Sequence, residues 1–306
     1  MALRVARRVV WPLGAAAGLV ADRWLGEPPA SWHPVVGFGA VMGALERALY
    51  RDRRAPGVAY ALVGLGIGLG VGRLVRSAAL ATTVAVGGRA LRDAARQVDA
   101  ALSAGDLEVA RTRLVSLVGR ETQGLAASEI ARAVVESVAE NTVDAIVAPA
   151  LWAAWCGPAG ALGYRAVNTM DAMVGHHSTR YENYGWASAR LDDLANWLPA
   201  RATAMLVALV RPPAHRAVRE AVRRQAPAHP SPNAGVAEAA FAAALGRRLG
   251  GRNRYGEREE VRPILGWGPD AQSSDIARSV RLSRDVAGAL AGLLVVAGLA
   301  QWWWTS

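Results

Sequence analysis

Two charge-free stretches constrain this chain more than anything else in it. Residues 55–72 carry no charge over 18 positions, and residues 286–304 carry none over 19. As helices they would rise about 27 and about 28 Å, close to the hydrocarbon thickness of a bilayer. A helix satisfies its backbone groups internally, which hydrocarbon demands of any spanning segment. The expected fold class is therefore all-α, a multi-pass integral membrane protein with about four to five transmembrane or re-entrant helices and cytoplasmic helical segments. It is read as one domain over residues 1–306.

The other apolar segments are less regular. Residues 9–21 are short, contain Pro12 and have arginines on both sides, which predicts an interfacial or re-entrant helix; no small-residue cleavage site marks a secretory signal. Residues 77–88 follow Arg73 and Arg76 and form either a tight hairpin with 55–72 or part of one long tilted helix. Residues 145–164 are interrupted at Pro149 and at Gly157-Pro158, so two half-helices are expected. Residues 194–210 form a further span with Pro199 and Arg201 inside it. Glycines 64, 66, 68, 70 and 72 give overlapping Gly-x-x-x-Gly registers, which let a neighbouring helix approach closely. The closing Trp302-Trp303-Trp304 reads as an interfacial anchor.

Residues 89–142 are polar with helical spacing. Helices are predicted over 89–102 and 106–118 with Gly105 as the break, then a helix capped by Ser128 with Glu129 in its first turn. Residues 211–285 read as polar loop and helix.

Composition removes several functions. All 35 basic residues are arginine, so a Walker A lysine, a pyridoxal Schiff base and a lysine nucleophile are excluded. The net charge of +10 does not come from one basic tract; the arginines flank apolar segments, which favours anionic lipid headgroups over nucleic acid. By the positive-inside rule, the same distribution predicts a cell-membrane protein with its polar motifs facing the cytoplasm. The single cysteine, Cys156, has no internal disulfide partner and is expected to be a buried spectator.

Against that apolar background, three polar stretches stand out: 136–144, 168–171 and 190–196. Burying carboxylates and amides near hydrocarbon costs several kcal/mol each unless they are paired, hydrated or used. Arg132, Glu136, Glu140 and Asp144 recur every four residues, with Ile130, Val134 and Val138 on a second stripe. Arg132 and Glu136 alone could be a solvated i,i+4 pair. Carboxylates at the spacing of Glu140 and Asp144 can share a Mg²⁺ that substrate phosphates also hold.

Longer motifs extend this pattern. Glu121-Thr-Gln-Gly-Leu, Ala133-Val-Val-Glu-Ser-Val-Ala-Glu-Asn-Thr-Val-Asp144, Asn168-Thr-Met-Asp-Ala-Met-Val-Gly175, Gly185-Trp-Ala-Ser-Ala-Arg-Leu-Asp-Asp193, Pro199-Ala-Arg201 and His229-Pro-Ser-Pro-Asn-Ala-Gly235 closely resemble the CobD/CbiB family. Asp22-Arg-Trp-Leu-Gly-Glu-Pro-Pro and His33-Pro-Val match it too, so the resemblance runs in order over roughly residues 18–290. It implies an integral membrane enzyme of late cobalamin biosynthesis. Such an enzyme joins adenosylcobyric acid to (R)-1-amino-2-propanol or its O-phosphate through an amide, using ATP and Mg²⁺. Corrinoid and aminopropanol (phosphate) would be the substrates, and other membrane enzymes of the pathway possible partners.

Joining a carboxylate to an amine requires activation, most simply as an acyl phosphate, a step served by Mg²⁺ and arginine clamps. On that basis Glu140, Asp144 and Asp171, with Asp192 or Asp193, are the candidates for catalysis, the first three as Mg²⁺ ligands. Arg180, Arg190 and Arg201 are candidates to hold phosphate or carboxylate, and Asn141, Asn168 and Asn196 to orient substrate amides. His33, His229 and Asn233 lie in Pro-rich segments of the kind that form loops over sites. Adjacent His176-His177 lack the helical ligand spacing of a zinc site. Two other classes fit part of the sequence: a small-molecule transporter, for which broken helices and acids are typical, and a non-catalytic membrane sensor resembling the AmpE proteins.

Overall fold

A computed structural model of the chain describes residues 2–26, 33–119, 121–176, 178–255 and 258–305. In chain order come α1 (Ala2–Leu25), α2 (Pro34–Leu49), α3 (Arg54–Val75), α4 (Ala78–Ala85), α5 (Gly88–Ser103), α6 (Leu107–Leu114) and α7 (Ala127–Thr142). A π-helical turn, Val143–Val147, leads into α8 (Ala148–Met170), and a second, Asp171–Gly175, leaves it. Then follow α9 (Trp186–Val210), α10 (His215–Arg224), α11 (Ala234–Leu245), strands β1 (Leu249–Tyr255) and β2 (Arg258–Leu265), and α12 (Ser273–Thr305).

Among the described residues three helical runs are long and apolar enough to cross a membrane: Arg54–Val75, a stretch within Ala127–Gly175, and Ser273–Trp304. The two charge-free stretches thus behave as expected. The helix start near Ser128 falls earlier: Ala127 opens α7, and the Glu129 carboxylate accepts the Ala126 N–H at 2.8 Å, so the acid caps the helix instead of the serine. The antiparallel hairpin β1–β2 was not foreseen in the region read as loop and helix. Its Gly250 and Gly251 adopt φ of 89° and 97°, and a bulge follows Leu249. Cys156, expected to be buried, is exposed on α8.

The contacts divide the chain into two compact units. The first comprises Met1–Gly87, Asp144–Asn196 and Leu290–Ser306; the second comprises Gly88–Val143 and Trp197–Ala289.

In the first unit α3 packs along α8. A Cβ on Gly64, Gly68 or Gly72 would meet α8 atoms at 2.2, 2.6 and 2.4 Å, whereas Gly66 and Gly70 have nothing within 4 Å. One Gly-x-x-x-Gly register is therefore consumed within the chain, by close approach of the two helices. Met42, Tyr60, Val167, Met170, Val174 and Tyr184 form the adjoining core. Arg76, in the left-handed conformation at φ 56°, ends α3, and Ser77 caps α4 by accepting the Leu80 N–H at 3.2 Å, so the break is a turn between two helices.

Prolines leave two carbonyls of this unit, those of Ala145 and Ala195, without their helical donors. Pro149 offers no N–H to Ala145, whose carbonyl instead accepts the Gly87 N–H at 2.9 Å, and the π-helical turn just upstream absorbs the extra residue. Pro199 likewise orphans the Ala195 carbonyl, which accepts the Trp152 indole N–H at 3.0 Å. Both helices continue past their prolines as a result. The expected break in 145–164 appears only at Gly157, where φ 65° and ψ −154° interrupt α8. Its missing Cβ leaves room for the Trp11 ring, which an added Cβ would meet at 2.6 Å.

In the second unit α5 and α6 form the predicted hairpin around Gly105, with Asp106 accepting the Val109 N–H at 3.0 Å. They pack on α7, which also meets α11 and β1. Leu249 and Leu265, paired across the hairpin, are fully buried.

Candidate functional site

The polar residues of the first unit converge. Asp192, on the first turns of α9, sits between two amides: Asn196 donates to Oδ2 at 2.9 Å and Asn168 to Oδ1 at 3.4 Å. Asn196 lies one turn along α9, and Asn168 comes from the end of α8. The Tyr164 hydroxyl donates to Asn196 Oδ1 at 2.8 Å, fixing that amide in the orientation that offers its NH₂ to Asp192. Asp171, in the second π-helical turn, lies within electrostatic reach of Asp192 and Asp193, and Tyr164 within reach of Asp144 and Asp192. Burial pushes the Asp192 carboxyl upward, opposed by the two amides. Asp144, Asp171, Asp192 and Asp193 are thus grouped around Tyr164, Asn168 and Asn196.

The arginines proposed as clamps are not gathered there equally. Arg190 is exposed and donates to Asp193 at 3.2 Å. Arg180 is fixed by Glu46 at 3.1 Å and lies over the Tyr50 ring at 4.2 Å. His33 caps α2 by accepting the Val35 N–H at 3.2 Å, a structural task for a residue in the candidate set. His176 meets Tyr181 edge to face; His177, along with residues 27–32, lies outside the described residues.

A second cluster forms in the second unit, around a carboxylate that sequence reading passed over. Glu238 is fully buried on α11, its Oε1 3.5 Å from His229 Nε2 and 3.7 Å from Arg262 Nη1. The same Arg262 nitrogen is 3.7 Å from Glu140 Oε1. Burial pushes the Glu238 carboxyl well up and the His229 ring down, so both favour their neutral forms. His229 Nδ1 lies 3.1 Å from the Ser231 nitrogen and 3.2 Å from its carbonyl oxygen, so the Ser231 backbone anchors the ring and leaves Nε2 facing Glu238. Glu238 left one trace in sequence, as the lone charge within the apolar run of α11.

Glu136 and Arg132 do pair, at 3.7 Å, but the pair is buried rather than solvated. Glu136 accepts the Gly250 N–H at 2.8 Å and Arg132 donates to the Arg252 carbonyl at 2.9 Å, so both hold β1. Asn141 donates to the Ser137 carbonyl at 2.9 Å, while Asn233 accepts from Arg201 at 3.1 Å. Arg201 also stacks on Trp197 at 4.5 Å. Glu140 and Asp144, neighbours on one helical stripe, belong to different units.

Among the described residues no group of three or more His, Cys, Asp or Glu side chains could hold a metal ion. The donor chemistry of the first unit, carboxylates beside neutral amides, suits a magnesium that brings waters and phosphate oxygens of its own.

Comparison with known proteins gives a consistent result. The model of the CobD/Cbib protein family matches residues 15–283. A Mycobacterium tuberculosis protein named cobalamin biosynthesis protein CobD is 45% identical over 298 residues, covering 93% of this chain and 95% of the relative. Proteins of the same name from Chromobacterium violaceum and Rhodobacter capsulatus are 44% and 40% identical, over 86% and 93% of this chain and 89% and 95% of their own lengths. No solved structure matches.

Proposed function

The chain belongs to the CobD/CbiB family of cobalamin biosynthesis, and from that membership we propose that it catalyses ATP-dependent amide formation between adenosylcobyric acid and (R)-1-amino-2-propanol or its O-phosphate. A propionate carboxylate of the corrinoid attacks the γ-phosphorus of ATP, giving an acyl phosphate and ADP. The amine nitrogen then attacks the acyl carbon, loses a proton and expels phosphate.

The observation that supports this most is Asp192, a carboxylate held between two neutral amides with Asp171 and Asp193 alongside. Such a group is oriented without being neutralised by an arginine of its own, as a base for the ammonium proton requires. Asp144 and Asp171 would hold a Mg²⁺ in this unit, where the metal would neutralise charge at the phosphates; Glu140 belongs to the other unit. Asn168 and Asn196 keep the Asp192 carboxylate aimed. Arginines flanking the apolar runs support a cell-membrane location with the motifs facing the cytoplasm.

The test is direct. Detergent-purified protein incubated with adenosylcobyric acid, either amine and Mg-ATP should yield the amide by mass spectrometry. Absence of product with both amines would overturn the assignment.

A further inference from the structure

α12 opens with charged sequence and turns apolar partway along. Its charge-free run begins at Val286, and Arg281 and Arg284 stand just before it. At about 1.5 Å of rise per residue they lie about 8 and about 3 Å outside that run along the helix axis. That is the depth of the headgroup layer, about 5–8 Å on each side of a bilayer. A cavity of about 160 Å³ opens between this segment and α5, with both walls inside the second unit. The buried Ile276 and Val280 form its apolar side, Arg96, Arg281 and Arg284 are its cations, and Asp99 is its one acid.

Neighbouring arginines are already committed. Arg278 donates to Asp275 at 2.5 Å and to the Leu245 carbonyl at 2.9 Å, and Arg211 donates to Asp285 at 2.8 Å. Those of the cavity are held less. Arg281 is exposed and meets no carboxylate among the described residues, and Arg284 comes only within 3.7 Å of Asp285, whose other oxygen Arg211 holds. Arg96 has Asp93 at 2.7 Å, an acid it shares with Arg89 at 3.5 Å. Asp99 accepts from the Ser273 side chain instead.

Three guanidinium groups around one carboxylate leave a positive pocket, and their planar forks suit phosphate oxygens. The volume, well under the usual range of about 300–1,000 Å³ for drug-sized ligands, admits a headgroup and not acyl chains. Asp99 adds an acceptor for a hydroxyl, which a glycerol headgroup carries and a choline headgroup lacks.

We propose that the pocket between α5 and the start of α12 binds the phosphoglycerol headgroup of an anionic membrane lipid, with Arg96, Arg281 and Arg284 on its phosphate. The bound lipid neutralises the cations at the membrane end of α12 and fixes the depth of that helix. No residue of this site belongs to the candidate catalytic set, so the site stands or falls independently of amide formation.

The experiment titrates the detergent-purified full chain, in phosphatidylcholine mixed micelles, with phosphatidylglycerol and reads bound lipid by native mass spectrometry. Wild type should prefer phosphatidylglycerol by at least about tenfold. Arg281→Gln and Arg284→Gln should each weaken it about fivefold, and together about thirtyfold, with phosphatidylcholine binding unchanged. The double variant Arg216→Gln, Arg219→Gln removes two exposed arginines of α10 in the same unit and should change the affinity less than about twofold. An equal loss in that variant would reduce the binding to diffuse charge attraction and overturn the site, as would affinity indifferent to Arg281 and Arg284. Displacement of phosphatidylglycerol by millimolar inorganic phosphate or Mg-ATP would make the pocket a site for soluble anions and also overturn it. Wild type decides alone if the variants do not fold: equal retention of the two lipids overturns the proposal.

Discussion

Asp192 in the first unit and Glu238 in the second are carboxylates that burial disfavours in the same way, yet their surroundings treat them oppositely. Asp192 receives two neutral amide donors and stands beside Asp171 and Asp193. Glu238 is closed in by His229 and Arg262, with Glu140 beside it on the same arginine nitrogen. Amides orient a carboxylate while leaving its charge available, whereas an arginine shared by two acids and a neutral histidine leave little charge to use. The first arrangement suits chemistry, and the second holds a β-hairpin against α7 and α11.

The widest separation between the two should appear in turnover. Asp192→Asn keeps the shape but loses the base, and should lower kcat for amide formation by about a thousandfold, while Glu238→Gln should lower it by less than about tenfold. Equal losses in an initial-rate assay would erase the distinction. Stability should separate them the other way. Glu238→Ala, which empties a fully buried site, should cost about 3 kcal/mol in a denaturant titration, and Asp192→Asn about 1 kcal/mol or less.

A smaller effect is expected with pH. Because the folded state raises the Glu238 pKa, it retains a proton that the unfolded chain releases near pH 4.3; the stabilisation is complete below that pH and declines as pH rises toward the folded value. Wild type should therefore lose stability relative to Glu238→Gln as pH climbs from about 4 toward neutrality. A constant difference would mean the carboxyl is not held protonated. Smallest of all is the framework bond of the first unit. Trp152→Phe removes the donor to the Ala195 carbonyl and should cost about 0.6 kcal/mol, the scale of a single interhelical hydrogen bond.

Much of the architecture was legible because it depends on neighbours along the chain. Charge-free length marked α3 and the end of α12, Gly105 marked the turn between α5 and α6, and the Gly-x-x-x-Gly run marked a close approach. Pro149 misled because the remedy came from elsewhere: nothing near it announces that Gly87 will serve the carbonyl it orphans, as Trp152 does for the carbonyl opposite Pro199. The β-hairpin was missed because its strands are glycine- and arginine-rich, without the apolar alternation that signals a sheet.

The candidate site divides similarly. Sequence singled out Asp144, Asp171, Asp192, Asn168 and Asn196, since each interrupts an apolar background that penalises it. It did not single out Tyr164, Glu238 or Arg262, whose importance lies in what they touch. Sequence alone determined that the chain is helical, that it carries runs apolar enough for a membrane, that lysine chemistry is excluded and that the acids need a reason to be there. Only the tertiary structure decided which acids meet. Helical periodicity relates residues three or four apart, so it put Glu140 and Asp144 on one stripe; the bond from Asn168 to Asp192, 24 residues on, exists because two separate helices pack together.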